Sequence, residues 1–450
     1  MILCISSFFF IGAFSLSFLV YTSLFTLLNF MVGIGMDTLK DTKRRYAYYL
    51  GQVLNIGGLV FFKYINFLVE NVNVLLGGIS GFEIPYADVL VPIGLSYYTF
   101  QAIGYLYTMY KTKEQAEKNL LDFTLYMFFW PKIVAGPIER HKNFLSQLKN
   151  PIEFDYTSVV TGGQLVLWGL FKKLVIGDTL GIIVSTTYNN VEHYQGVGLL
   201  LTFLIQPIQL YCDFSGYTDM ALGFAKIFGV QLTDNFNRPF MARTVGEFWR
   251  RWHISLTTWC NTFIYNRVLL KHRKWGSNAI YYAIFVSFTF IGIWHGANWT
   301  FIFLGFLQVL ALMYENKTKR WRSQLKYKIS EPILKWGSRA LVYLFFANSL
   351  VFFFAKSIRD VGYFYYNLMH LKMDTNEGGA SLRNPEFYLV FFMAIFVIVR
   401  DIIDEDKIKR LQSCNVLKTN NVFRWTLYIF WIMFVVYFSK NQTNFVYMQF

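Results

Sequence analysis

The run Ala279-Ile-Tyr-Tyr-Ala-Ile-Phe-Val-Ser-Phe-Thr-Phe-Ile-Gly-Ile-Trp-His-Gly-Ala-Asn-Trp-Thr-Phe-Ile-Phe-Leu-Gly-Phe-Leu-Gln-Val-Leu-Ala-Leu-Met-Tyr314 contains no Asp, Glu, Lys or Arg. A helix needs about 20 apolar residues to cross the hydrocarbon core, so the run has length for two crossings. Arg267, Lys271, Arg273 and Lys274 precede it, and Lys317, Lys319, Arg320, Arg322, Lys326 and Lys328 follow it. Lys and Arg are enriched in cytoplasmic loops. Both flanks are therefore assigned to the inside, which makes the run a membrane hairpin with its turn near Ile293–Trp299.

The composition agrees with that reading. Hydrophobic residues make up 55% of the 450 residues and aromatic residues 20%, with 48 Phe. Charged residues are only 15%, against about 25% in soluble chains, and mean hydropathy is +0.35. Disorder, collagen and coiled coil are excluded, and an extramembrane enzyme is disfavoured. The net charge of +15 admits nucleic-acid binding. Because the charges lie in loops between apolar runs, the positive-inside rule explains them better, and no nucleic-acid partner is expected. Cys4, Cys212, Cys260 and Cys414 are isolated, without a C-x-x-C pair to suggest a zinc site or disulfide framework. The apolar N-terminus, Met1 to about Met36, is too long for the core of a signal peptide and is read as retained membrane segment.

Outward from the hairpin, the basic clusters set the remaining topology. One candidate span lies within Cys4–Ile34 and ends at Lys40, Lys43, Arg44 and Arg45; Tyr46–Val69 returns outward, and Val89–Tyr110 comes back to Lys111, Lys113 and Lys118. Leu120–Trp130 is too short to cross and has basic flanks, so it reads as re-entrant or interfacial. Gly163–Tyr188 and Val197–Phe228 form an out-and-back pair, with Lys172 and Lys173 near the inner end. Asp234–Trp275 is the basic, inward-facing stretch. Ala340–Phe354, Phe387–Ile403 and Phe423–Phe438 complete about ten crossings, with Arg359–Arg383 and both termini outside. No repeat, low-complexity linker or second domain is visible, so residues 1–450 are read as one integral-membrane domain.

Two histidines have unusual surroundings. His295 lies in Gly292-Ile-Trp-His-Gly-Ala-Asn-Trp-Thr300, at the turn of the hairpin. An ionisable group at membrane depth is costly and suggests function by default; a histidine hydrogen-bonded within a helix seam explains the same residue equally well. The neighbouring glycines permit close backbone approach, and Trp294 and Trp299 are candidate pocket walls. His253 lies in Thr244-Val-Gly-Glu-Phe-Trp-Arg-Arg-Trp-His-Ile-Ser-Leu256. Thr244 and Glu247 have capping-box spacing, and Phe248, Trp252, Leu256, Trp259 and Phe263 form a helical apolar stripe. The stretch reads as an amphipathic interfacial helix, with Glu247, Arg250 and Arg251 on another side. His253 taken alone is read as a packing or snorkelling residue. The arginine pair suits a phosphate-bearing ligand, or lipid headgroups, which are the natural membrane partner of such a helix.

Tyr211-Cys-Asp-Phe-Ser-Gly-Tyr-Thr-Asp219 puts two carboxylates in an apolar run. Asp213, Ser215 and Asp219 line a polar cavity or pair with the arginines, and structural pairing is the reading preferred, because a buried charge needs a partner. Asn235-Phe-Asn-Arg-Pro-Phe240 reads as a turn before the amphipathic helix. There is no P-loop, G-x-S-x-G, H-E-x-x-H or dinucleotide fingerprint.

Phe236-Asn-Arg-Pro-Phe240, Phe248-Trp-Arg-Arg-Trp-His-Ile-Ser-Leu256 with Trp259, and Trp294-His-Gly-Ala-Asn-Trp299 resemble the membrane-bound O-acyltransferases. The similarity is greatest to the branch of bacterial alginate and peptidoglycan O-acetyltransferases. Val91-Pro-Ile-Gly-Leu-Ser-Tyr-Tyr-Thr-Phe-Gln101, Gly136-Pro-Ile-Glu-Arg140, Asp213-Phe-Ser-Gly-Tyr217 and the ending Asn444-Phe-Val-Tyr-Met-Gln-Phe450 look like the same branch. The resemblance runs from about residue 90 to 310 and weakly beyond, whereas similar proteins usually carry more hydrophobic sequence before the first basic loop.

The resemblance implies an all-α polytopic membrane protein with re-entrant and interfacial helices around a central tunnel. It matches His295 to the family's catalytic histidine and His253 to the second histidine of this branch. Asn298, Trp294, Trp299, Asp213 and Asp219 fall to tunnel lining or support. It implies acetyl-CoA as acyl donor without a metal, a polysaccharide as final acceptor, an extracytoplasmic serine esterase-like partner, and a bacterial inner-membrane location. D-alanyl transfer from a carrier protein to teichoic acid is the enzymatic alternative. A transporter using its histidines as a proton relay is the alternative of another class; paired broken helices in symmetric halves would mark it, and the sequence shows none.

Overall fold

The computed structural model describes residues 1–80, 83–149, 153–370, 385–406 and 421–440. Among the described residues there is helix and no strand. In chain order the helices are α1 (Ile2–Phe14), α2 (Leu16–Thr38), α3 (Asp41–Ser80), α4 (Leu95–Thr112), α5 (Leu120–Phe128), α6 (Trp130–Ile133) and α7 (His141–Leu148), then α8 (Tyr156–Leu170), a π-helical segment Phe171–Gly177, α9 (Asp178–Asn189) and α10 (Gly196–Ile227). There follow α11 (Val245–Trp249), α12 (Ile254–Cys260), α13 (Asn266–Lys271), α14 (Ser277–His295), α15 (Trp299–Lys317), α16 (Lys319–Gln324), α17 (Glu331–Phe354), α18 (Ile358–Met369), α19 (Pro385–Asp406) and α20 (Asn421–Phe438). Six of them, α2, α3, α10, α14, α15 and α17, are long and apolar enough to cross a membrane. Cys414, the ending Asn444–Phe450 and residues 371–383 of the outer loop lie outside the described residues.

The helices form two compact units, Met1–Gly163 with Ala221–Thr233 and Gln164–Met220 with Asp234–Phe450. In the first, the expected single N-terminal span is two helices that break at Ser15, whose backbone is extended at φ −169°. An apolar run without periodicity carries no mark of such a break. α2 and α3 are joined by a buried pair of amides, Asn29 and Asn55, each donating to the other at 2.9 and 2.8 Å. Such pairs hold helices together in lipid, where apolar burial supplies no net drive.

The short run after Leu120 folds as α5 and α6 with a bend at Phe129. Its Lys132 is buried, donates to Gln101 and to the Tyr126 carbonyl, and lies 4.6 Å from the Phe144 ring. Gly94, at φ +70°, starts α4 against the Ile133 carbonyl, which a Cβ would meet at 2.0 Å. A Cβ on Gly136 would meet the Lys132 backbone at 2.4 Å, and Glu139 accepts from Thr233. The Val91–Gln101 and Gly136–Arg140 motifs thus enclose one buried lysine on α6.

In the second unit, α14 and α15 make the hairpin the sequence predicts. Their axes close at two glycines: a Cβ on Gly292 would meet the Phe301 carbonyl, and one on Gly305 the Phe288 carbonyl, each at 2.5 Å. The lysines near the end of the Gly163–Tyr188 span are not loop charges. Lys172 is buried against Asp219 and the Ser215 hydroxyl, both at 2.8 Å. Lys173 is buried between Asp178 and Asp213. Asp213 and Asp219 therefore pair with lysines on the π-helical segment, not with the arginines of the amphipathic stretch. The pairing of the lysines with Asp213 and Asp219 was not legible in sequence, because these partners lie forty or more residues away and the lysines resembled a positive-inside signal.

Candidate active site

The site is built where the amphipathic stretch stops being a helix. α11 begins as the sequence indicates, with the Thr244 hydroxyl accepting from the Glu247 backbone N–H. The Glu247 carboxylate accepts from the Arg243 N–H. The expected continuous helix through Phe263 is not formed: α11 ends at Trp249, and α12 begins at Ile254 after His253 takes a left-handed conformation at φ +44°. The Asn235–Phe240 turn supplies the bonds that the helix gives up. Asn237 N–H donates to the Arg251 carbonyl and Ile254 N–H to the Asn235 carbonyl, both at 2.9 Å. The Asn235 side-chain oxygen accepts from the Ser255 N–H and, at 2.6 Å, its hydroxyl. Left-handed backbone costs a non-glycine residue about 1–3 kcal/mol and tends to mark functional sites; two crossed motifs hold it here.

The break turns His253 inward. Its side chain is fully buried, edge-on to Phe214 at 4.8 Å between ring centroids, with the Trp294 ring at 6.0 Å. Trp294 also contacts the neighbouring His295 at 5.0 Å, so one indole lies against both imidazoles. His295 closes the last turn of α14 and is 8% exposed, with Phe353 and Phe301 beside it at 5.7 and 6.4 Å. Burial, and secondarily the charge of His295, holds the His253 pKa well below the ordinary value. At neutral pH His253 is an uncharged ring that donates through one nitrogen and accepts through the other.

Two cavities lie side by side here. A small one of about 30 Å³ is lined by His295, Trp252, Gln308, Leu350 and Phe353 among others. A larger one of about 750 Å³ is lined by Arg250, Cys260, Ser287, Lys319 and Arg322. Trp249, Phe288 and Ile291 are walls of both. The arrangement places basic residues on one cavity and His295 on its neighbour, which suits a long substrate with an anionic end, while His253 lies behind Trp294 and lines neither cavity. The arrangement also keeps the reacting end among apolar walls, where polar contacts strengthen and water is scarce.

The structure separates the arginine pair. Arg251 is held by Glu405, at 2.8 and 3.1 Å, and by Glu247 at 2.9 Å. Arg250 is exposed on the larger cavity and makes no side-chain hydrogen bond or ion pair among the described residues. Of the two, Arg250 alone is available to an anion; Arg251 is a structural tie, which helical spacing could not distinguish. Asn298 caps α15 by accepting from the Thr300 N–H, and it donates to the Lys356 carbonyl at 2.7 Å. Neither expected pocket wall lines these two cavities: Trp299 is 51% exposed, and Trp294 is buried against the two histidines.

Sequence reasoning missed Gln308. Its side chain accepts from the Trp249 indole at 3.1 Å and donates to the Ser349 hydroxyl at 2.8 Å, pinning the wall shared by the cavities. A lone glutamine within the apolar Phe301–Met313 run was the signal available. Among the described residues no group of three or more His, Cys, Asp or Glu is placed to hold a metal.

The model of the membrane-bound O-acyltransferase family matches residues 110–355. A probable alginate O-acetylase, AlgI, of Pseudomonas aeruginosa is 32% identical over 307 residues, covering 68% of this chain and 58% of its own length. The peptidoglycan O-acetyltransferase of Helicobacter pylori is 30% identical over 389 residues, covering 78% of this chain and 71% of its own. A teichoic acid D-alanyltransferase of Bacillus subtilis is 26% identical over 250 residues, covering 54% and 63%. This chain spans 58% and 62% of the length of the alginate relatives from Pseudomonas aeruginosa and Pseudomonas putida.

Proposed function

The chain belongs to the membrane-bound O-acyltransferase family, a multi-pass membrane protein, and from that premise we propose that it moves an acetyl group from a cytoplasmic thioester to a hydroxyl in cell-wall or exopolysaccharide O-acetylation. The observation that carries the proposal is the pair of imidazoles on Trp294, of which His295 lines a small apolar cavity sharing Trp249, Phe288 and Ile291 with a larger one lined by Arg250, Lys319 and Arg322. The donor is acetyl-CoA, its phosphates held by the unpaired Arg250 with Lys319, and its thioester laid toward His295.

His295 acts as the general base. The acceptor oxygen attacks the thioester carbonyl as His295 takes the hydroxyl proton; collapse of the tetrahedral intermediate breaks the C–S bond, and the imidazolium returns its proton to the departing thiolate. Ester and free thiol result, with no net proton uptake. A neutral imidazole is suited to this because its basicity lies near the operating pH. His253, buried and uncharged, orients or polarises the thioester carbonyl by donating a hydrogen bond. The acceptor enters from the side opposite the basic loops. In a bacterial inner membrane a separate extracytoplasmic serine esterase-like enzyme would carry the acetyl group on to the polysaccharide.

The lining of the small cavity includes no carboxylate. A D-alanyl group would bring an ammonium there without a counter-ion, at a cost in a low-dielectric site, which favours acetyl. The test uses purified protein in proteoliposomes, given radiolabelled acetyl-CoA or a D-alanylated carrier protein, with alginate or peptidoglycan oligosaccharide as acceptor. Ester-linked label from acetyl-CoA is expected. Label from the D-alanyl carrier alone would replace the acetyl reading, and transport of oligosaccharide without ester formation would replace enzyme by transporter.

A further inference from the structure

We propose that Glu405, near the end of α19, is a positioning residue: its carboxylate joins the two left-handed turns that set the place of His253, and so governs the rate of acyl transfer from outside both cavities. The inference rests on the acyltransferase reading, in which His253 orients the thioester, and goes beyond it to what holds that imidazole in place.

The first argument is backbone conformation. Among the described residues four other than glycine have positive φ, and two of these, Arg238 at +48° and His253 at +44°, lie in the two motifs that cross here. Such conformations persist only where the surroundings over-determine them. The second argument is the carboxylate that spans both motifs. Glu405 accepts from Arg251 through its two oxygens, at 2.8 and 3.1 Å. The oxygen that meets the Arg251 Nη1 also lies 3.4 Å from the Arg238 Nε. Arg238 is itself left-handed, and Arg251 stands two residues before His253, its carbonyl accepting from the Asn237 N–H. A bidentate guanidinium–carboxylate pair fixes direction as well as distance. The hydrogen bond from Arg251 holds the Glu405 carboxyl below the usual carboxylate range, so the tie is charged at neutral pH.

The third argument is the anchorage of α19. One turn before Glu405, on the same face of the helix, Asp401 accepts from the Tyr211 hydroxyl at 3.0 Å. The Tyr211 ring packs on Phe236 and Phe240 of the turn, with centroids 5.7 and 5.3 Å apart. Three residues along α10, Phe214 is the ring edge-on to His253. α19 thus reaches the crossing twice, by Glu405 directly and by Asp401 through α10. Removing the Glu405 charge leaves two guanidiniums sharing one place, and their like charges push the two turns apart. A misplacement of about 1 Å caused far from the chemistry can cost about 100-fold in rate.

The experiment measures kcat and KM for acetyl-CoA in the reconstituted protein for Glu405→Gln, which keeps the shape and removes the charge, and Glu405→Asp, which keeps the charge. Each is made in the wild-type and the His253→Ala background. Asn55→Ala, which breaks the buried amide pair of α2 and α3, controls for lost stability alone. Glu405→Gln is expected to lower kcat by about 10–100-fold and to change KM by less than about 2-fold, with Glu405→Asp recovering most of kcat. In the His253→Ala background the same substitution should change kcat by less than about 2-fold, because the group it misplaces is gone. An equal fall in both backgrounds, or a fall no larger than that of Asn55→Ala at matched melting temperature, would overturn the proposal and leave acyl transfer intact. Undiminished transfer by His253→Ala would overturn the proposal together with the role of His253. Absence of transfer by the wild type would overturn the acyltransferase reading and the proposal that rests on it.

Discussion

At the residue scale, the meaning of a side chain depends on which of its equally spaced neighbours is already satisfied. Arg250 and Arg251 are adjacent and chemically identical, yet two carboxylates saturate one and none reaches the other. Substitution should separate them. Arg250→Ala is expected to raise the KM for acetyl-CoA by about 10-fold or more, as removal of a charge-assisted contact does, without change in melting temperature. Arg251→Ala should lower the melting temperature, because Glu405 loses its principal ion-pair partner, and leave KM nearly unchanged in the folded fraction. Steady-state kinetics and a thermal-shift assay check both. Equal KM effects would contradict the assignment. His295 was legible as an ionisable group at the turn of an apolar hairpin. His253 was legible only through family resemblance, since its helical spacing beside the aromatic stripe pointed to packing.

At the element scale, the sequence carried the hairpin, the cap at Thr244 and the turn at Asn235–Phe240, but not their meeting. A stripe from Phe248 to Trp259 has helical period, and all four stripe residues up to Trp259 are buried, although no single helix joins them. Period reports which side chains face inward; it does not report a break that a distant loop compensates. Asn235 makes that compensation. Asn235→Ala would leave the Ser255 N–H and hydroxyl without their acceptor in a fully buried place. The expected loss is about 1–3 kcal/mol, measurable as a lowered melting temperature in detergent, together with a fall in kcat as His253 loses its left-handed position. Unchanged stability and activity would mean that the break is intrinsic to residues 250–255. The polar bonds of Gln308 and the pairing of Lys172 with Asp219 and of Lys173 with Asp213 escaped for the same reason: these partners are remote in sequence.

At the scale of the whole molecule, the excess of basic residues is a topology signal with a second use. Six helices have the length and composition of crossings, and the expected count of about ten also relied on runs that fold as broken segments, α8–π–α9 among them. The +15 charge is reduced in significance where lysines are buried with carboxylates, and gains significance at Arg250, Lys319 and Arg322, which line the larger cavity. The central claim is that an acetyl group enters from this basic face and leaves through His295 to a hydroxyl on the other. The most direct measurement supplies radiolabelled acetyl-CoA to the basic face of oriented proteoliposomes and oligosaccharide acceptor to the opposite face, for wild type and His295→Ala, with donor binding measured separately. The account predicts ester-linked label on the opposite face, reduced by about 10²–10⁴-fold in the variant while donor affinity is kept within a few-fold. Undiminished transfer by His295→Ala would contradict it.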